Sequence, residues 1–372
     1  ESDQANAYFG CSVGTAGDVN GDGFSDIIVG AYSYDNGEDG EGRAYVFHGS
    51  ASGLSVNADW TAESDQADAY FGISVCTAGD VNGDGYSDVI VGADTYDHGE
   101  SHEGRAFVFH GSASGLSANA DWTAEGDQEG AYFGISVGTA GDVNGDGFSD
   151  VIVGADRYDH DEINEGGAFV FHGSASGLSA DADWTAESDQ ANAYFGHSVG
   201  TAGDVNGDGY SDVIVGAYGY DNVEMGEGRA FVFHGSGGGL NISISWSSEA
   251  DKEESEYGYS VRTAGDVNGD GYSDVIIGAR KYDHGQDNEG RAYVFHGSAS
   301  GLSANADWTA EGDQADAYFG ISVGTAGDVN GDGFSDVIVG AYKYDNGESN
   351  EGRAFVFHGS ASGLSASADW TA

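Results

Sequence analysis

Asp18-Val19-Asn20-Gly21-Asp22-Gly23-Phe24-Ser25-Asp26 returns in the same register from Asp80, Asp142, Asp204, Asp266 and Asp328. Successive starts are 62 residues apart, and six such periods make up the 372 residues. Side-chain oxygens fall at positions 1, 3, 5 and 9 of the stretch, with a backbone carbonyl available at position 7. Three carboxylates, an amide and a carbonyl on a glycine-rich loop suit a hard cation that takes six to eight oxygen ligands, above all Ca²⁺. Mg²⁺ fits less well, because it keeps several waters and favours one or two carboxylates. Turn chemistry alone accounts for Asn-Gly-Asp-Gly. It does not account for three aspartates kept together six times, because like charges within a Debye length of about 8–10 Å repel unless something neutralises them. The expectation is about six Ca²⁺, one per repeat. An EF-hand is excluded because position 12 is Val29 where that motif carries a bidentate Glu.

The period divides the chain into repeats 1–62, 63–124, 125–186, 187–248, 249–310 and 311–372, read as one domain of repeats. In the first, residues 7–13 are aromatic and β-prone. Asp26-Ile27-Ile28-Val29-Gly30-Ala31 is a continuous apolar run, as expected of a strand covered on both faces. Residues 42–49 read as a third strand, residues 58–62 as a fourth, and the acidic stretch 32–41 as a loop. Four short strands per period and no helical periodicity describe one blade of an all-β β-propeller, and blades packed face to face bury the sheets. An open solenoid would need polar terminal caps. A whole number of units without such caps favours a ring, in which Glu1 would complete or abut the last blade's outer strand.

Composition narrows the function. The formal charge of −53, from 64 acidic against 11 basic residues, excludes nucleic acid and anionic membrane as partners. Eighteen of the acids lie in the six loops, so much of the acidity has another cause, either a salty or calcium-rich setting or solubility alone. Cys11 and Cys76 occupy different repeat positions and are read as buried free thiols. No run of 18 apolar residues predicts a membrane span. The sequence has neither an initial Met nor a signal peptide, as expected of a mature or excised segment.

Phe9-Gly10, the aspartate loop and Val29-Gly30-Ala31 together resemble the FG-GAP repeat of integrin α-subunit propellers and many bacterial surface proteins. The resemblance implies a calcium loop between the first two strands of each blade, on the face opposite the usual ligand-binding loops. Carried over position by position, the ligands are Asp18, Asn20, Asp22, Phe24 (by its carbonyl) and Asp26 in the first repeat, then Asp80, Asn82, Asp84, Tyr86 and Asp88. The third and fourth sets are Asp142, Asn144, Asp146, Phe148, Asp150 and Asp204, Asn206, Asp208, Tyr210, Asp212. The last two are Asp266, Asn268, Asp270, Tyr272, Asp274 and Asp328, Asn330, Asp332, Phe334, Asp336. The sequence departs from the family in three ways. The proline after Gly-Ala is replaced by Tyr32, Asp94, Asp156, Tyr218, Arg280 and Tyr342, which would loosen the strand end. Tyr257-Gly258 stands for Phe-Gly. Integrin propellers have seven blades against six here, so the chain is either a six-bladed ring or part of a larger one.

The rest of the chain offers little for catalysis, and no enzyme is expected. His48, His110, His172, His234, His296 and His358 recur at one strand end, which favours a structural role. His98, His102, His160 and His284 lie in the variable acidic loops, where a transition metal could bind adventitiously. Tyr34-Asp35 and its five counterparts read as loop anchors or, more sharply, as a repeated sugar-contact site. Asn241-Ile242-Ser243 is the lone glycosylation sequon, within a divergent fourth-to-fifth junction that keeps Trp246. The expected role is a calcium-stabilised adhesion or protein-interaction module, extracellular or at the cell surface, with an unidentified protein or glycan ligand. The alternatives are a multivalent lectin, or a self-assembling unit of a surface layer or filament.

Overall fold

Glycine meets glycine where one sheet lies on the next, and this contact explains the motif. A Cβ on Gly30 would sit 2.0 Å from the carbonyl oxygen of Gly72, and one on Gly278 would sit 1.9 Å from that of Gly320. Only a hydrogen at these positions lets two backbones approach so closely. The computed structural model describes residues 4–372. They form six four-stranded antiparallel sheets, each made from consecutive strands, and no helix is among them. This is the all-β β-propeller class with six blades. In the first blade the strands are β1 (Val13–Gly17), β2 (Asp26–Ala31), β3 (Arg43–Phe47) and β4 (Trp60–Glu63), in that spatial order. The chain divides into two compact units, Glu1–Asp142 with Asp146–Ala191, and Val143–Gly145 with Asn192–Ala372, each carrying three blades.

The second strand of a blade is apolar without alternation because both its faces are covered. Ile28, Ile90, Ile152, Ile214 and Ile276 are all fully buried. Equivalent positions of the first and last blades are more open. In the second unit Ile338 of the last blade is 37% exposed, and in the first unit Val13 is 63% exposed where Val137 is fully buried. Aromatic side chains fill the space between blades. Phe71 packs edge-on against Phe107 and Phe109, and Phe319 does the same against Phe355 and Phe357. Trp60 and Trp308 each donate an indole N–H to a carbonyl of the following blade, Ser117 at 2.9 Å and Ser365 at 2.9 Å. Trp246 does likewise to Ser303, so the divergent fourth blade keeps its outer strand.

Three expectations are amended. The first strand runs over residues 13–17 rather than 7–13, whereas in the third to sixth blades it begins at the position of Phe9 (Phe133, Phe195, Tyr257 and Phe319) and carries a register shift before the regular ladder. The strand end after Gly-Ala is not loosened: all six second strands stop at the same alanine. The cysteines are free but not buried, Cys11 being exposed and Cys76 half-buried. Cys11 lies two residues before exposed Val13, with its Sγ 3.7 Å from the carbonyl oxygen of Gly30 and 3.8 Å from that of Gly72. Glu1, expected beside the last blade, lies outside the described residues.

Replacing Gly278 by Ala forces the two backbones apart and is expected to cost about 2–3 kcal/mol, read as a fall of several degrees in melting temperature. An unchanged melting curve would contradict the close approach.

Candidate metal centre

Loop 18–26 joins β1 to β2, and short local hydrogen bonds fix its shape. Asp18 Oδ1 and Asn20 Oδ1 both accept the backbone N–H of Asp22, at 3.0 and 2.9 Å, and Asp18 Oδ2 accepts that of Gly23 at 2.8 Å. Asp22 Oδ1 in turn accepts the N–H of Phe24 at 3.0 Å. Positions 1, 3 and 5 are thus drawn round one backbone nitrogen on the exposed side of the turn. The pattern repeats around Asp84, Asp208, Asp270 and Asp332. In the third loop Asp142 accepts from Asp146 and Gly147 in the same way.

Position 9 is different in kind. Asp26, Asp88, Asp150, Asp212, Asp274 and Asp336 are all fully buried. Asp26 Oδ2 accepts the N–H of Val19 at 2.9 Å and Oδ1 that of Gly49 at 2.8 Å, so this carboxylate ties the loop to the far end of β3. Each oxygen keeps a second lone pair. Burial is the main reason that three of them are pushed up, Asp88 and Asp274 to about 6 and Asp212 to about 7. The neighbouring loop aspartates add to the rise, and the two accepted N–H groups oppose it. A divalent cation in the loop would hold them ionised. The donor set is all oxygen, negative, and gathered on one short turn, and so fits Ca²⁺.

The loops also hold neighbouring blades together. Ser87 N donates to Asp18 O at 3.0 Å, and Asp18 N donates to Ser87 Oγ at 3.2 Å. Ser112 N reaches Val19 O at 3.1 Å. In the second unit Ser273 bonds Asp204 O and Ser335 bonds Asp266 O in the same manner. Ordering a loop therefore orders the contact with the next blade.

Other sequence candidates fall into structural places. The backbone N–H of His48 donates to Asp59 Oδ2 at 2.9 Å, and its Nε2 is buried with no partner, as in four other blades. Asp35 Oδ1 accepts the N–H of Gly40 at 2.7 Å, and its counterparts close the same loop in every blade. Five of the six tyrosine faces offered as sugar platforms are covered. Arg43 lies 4.0 Å over Tyr34, and Arg105, Arg229, Arg291 and Arg353 cover Tyr96, Tyr220, Tyr282 and Tyr344. Periodicity hid one feature, the buried Asp94, whose Oδ1 has no partner. Burial and then the charge of Asp156 push this carboxyl up to about 7. The folded protein thus keeps a proton that the unfolded chain loses near pH 4, so Asp94 costs stability as pH rises from about 4 to 7, and the full cost remains above that. At 1.36 kcal/mol per pH unit, Asp94→Asn is expected to gain about 2–4 kcal/mol at pH 8 and almost nothing at pH 3.5. Equal effects at both pH values would contradict this.

The FG-GAP repeat family matches residues 9–47, 71–109, 133–171, 195–233, 257–295 and 319–357. The chain is 30% identical to Integrin alpha-3 of Cricetulus griseus over 279 residues, 72% of this chain and 24% of that protein. It is 33% identical to Integrin alpha-PS2 of Drosophila melanogaster over 230 residues, 58% of this chain and 16% of that one. It spans about a quarter or less of the curated relatives it matches. Among solved structures, BBS1N in complex with ARL6DN aligns with a TM-score of 0.51 at 9% identity, covering 95% of this chain and 82% of that one. That likeness speaks for the fold alone. With all six repeats matched, and the glycine contacts and aspartate loops where those repeats need them, the chain belongs to the FG-GAP repeat family.

Proposed function

We propose that the protein is a calcium-stabilised propeller module of the cell exterior or cell surface that mediates adhesion or protein interaction. Antiparallel order puts the aspartate loops and the β3–β4 connections at one end of each blade. The β2–β3 loops lie at the other end. The observation that carries the reading is at that second end. Nearly every other position repeats, but these loops differ from blade to blade, and Ile163, Val223 and Met225 stand exposed on them. Exposed apolar side chains on otherwise acidic, varied loops are what a protein-recognition surface presents. A repeated lectin site is less favoured, since arginine covers five of the six tyrosine faces. Resemblance to integrin α subunits supports the setting outside the cell.

The test is binding to arrayed extracellular proteins and, in parallel, to arrayed glycans, in calcium and in EGTA. Calcium-dependent capture by a protein, weakened at least tenfold by Val223→Ser with Met225→Ser, supports the proposal. Binding confined to glycans would replace it with the lectin reading.

A further inference from the structure

Three blades carry a cluster that the calcium loops do not explain. His98 with Glu103 and Glu125, His160 with Glu165 and Glu187, and His284 with Glu289 and Glu311 each bring their ligand atoms within 4.8 Å of one another. The three sets occupy the same repeat positions, at the blade end opposite the aspartate loop. In the second and fifth blades an arginine already neutralises the cluster. Arg105 lies 3.1 Å from Glu125, and Arg291 lies 3.3 Å from Glu311. The third blade has Gly167 at that position. Without the guanidinium, a cavity of about 230 Å³ opens beside His160 and Glu187, walled by Tyr158, Phe169 and Thr185.

We propose that His160, Glu165 and Glu187 form a binding site for a first-row divalent transition ion, of which zinc is the representative. Glu165 is 1% exposed. Its Oε1 accepts the N–H groups of His160 and Asp161, while its Oε2 receives no hydrogen bond among the described residues. A buried carboxylate with an idle oxygen, beside a second carboxylate and an imidazole, lacks only a cation. His160 Nδ1 lies 3.0 Å from Glu187 Oε1, so both atoms are placed to turn onto one ion. The imidazole distinguishes this site from the calcium loops: it suits Zn, Cu, Fe and Ni, whereas Ca²⁺ takes oxygen. Three protein ligands leave a position open toward the cavity, as in zinc sites that bind a further molecule.

The repeats supply well-tolerated test variants. Asn stands at the His160 position in three blades (Asn36, Asn222, Asn346), and Arg stands at the Gly167 position in five. A Cβ on Gly167 meets only ring atoms of Phe169 and Tyr158 at 3.0 Å or more, and those side chains can yield. Zinc is titrated into the full chain in saturating calcium, against a chromophoric chelator. The wild type is expected to show one strongest site. His160→Asn, Glu187→Gln and Gly167→Arg should each weaken it at least tenfold and leave the zinc-free melting temperature in calcium unchanged. His98→Asn and His284→Asn should leave it intact. Survival of the strongest site in His160→Asn, or its loss in His98→Asn or His284→Asn, overturns the proposal. Failure of the calcium-loop reading would not affect this result, because the two sites share no residue.

Discussion

Adding EGTA is expected to lower the melting temperature by about 15–30 °C. At a hundredfold excess over its Kd, a ligand that binds only the folded state contributes about 2.7 kcal/mol per site. Three sites for every three blades give about 8 kcal/mol, and a domain of about half this chain's length shifts by about 2–4 °C per kcal/mol. The effect is cooperative because the loops at Asp18, Asp80, Asp204 and Asp266 also bond the blade that follows through Ser87-type contacts. Replacing Asp22, Asp84, Asp146, Asp208, Asp270 and Asp332 together by Ala should reproduce the low melting temperature and abolish the response to EGTA. A melting curve that ignores both treatments would show that the loops hold their shape through their own hydrogen bonds.

The second large effect separates the two jobs within one loop. Asp212 is buried and accepts the N–H groups of Val205 and Gly235, each at 2.9 Å. Its removal leaves two buried donors without acceptors, at about 1–3 kcal/mol each. Asp212→Ala is therefore expected to destabilise by about 3–5 kcal/mol even in EGTA. Asp208 is exposed, and its Oδ1 accepts only from Tyr210 in the same turn. Asp208→Ala should destabilise in calcium and be nearly silent in EGTA. Chemical denaturation of both variants, with and without calcium, checks this. Equal losses for both variants in EGTA would refute the division of labour.

Much of this was legible in the sequence because the physics is local and repeats six times. The blade follows from the apolar run at Ile27-Ile28-Val29, which needs cover on both faces, and the loop follows from three aspartates that need a cation. Boundaries were less legible where backbone conformation rather than composition decides. Nothing in Ala7-Tyr8-Phe9 announces that the first blade's ladder begins only at Val13, when the same motif opens the strand at Phe133 in the third. The inward turn of Asp26 could not be read either, since its partner Gly49 lies 23 residues away. The third-blade cluster joins His160 to Glu187 across 27 residues and depends on the absence of one arginine. Gly167 is its one sequence signal, visible only when the six repeats are laid over one another.

Calcium titration of the demetallated chain, by calorimetry or equilibrium dialysis, tests the central claim most directly. The account predicts six calcium ions per chain, and none for the variant with all six position-5 aspartates replaced by Ala. No calcium bound by the wild type, or the same stoichiometry in that variant, would contradict it.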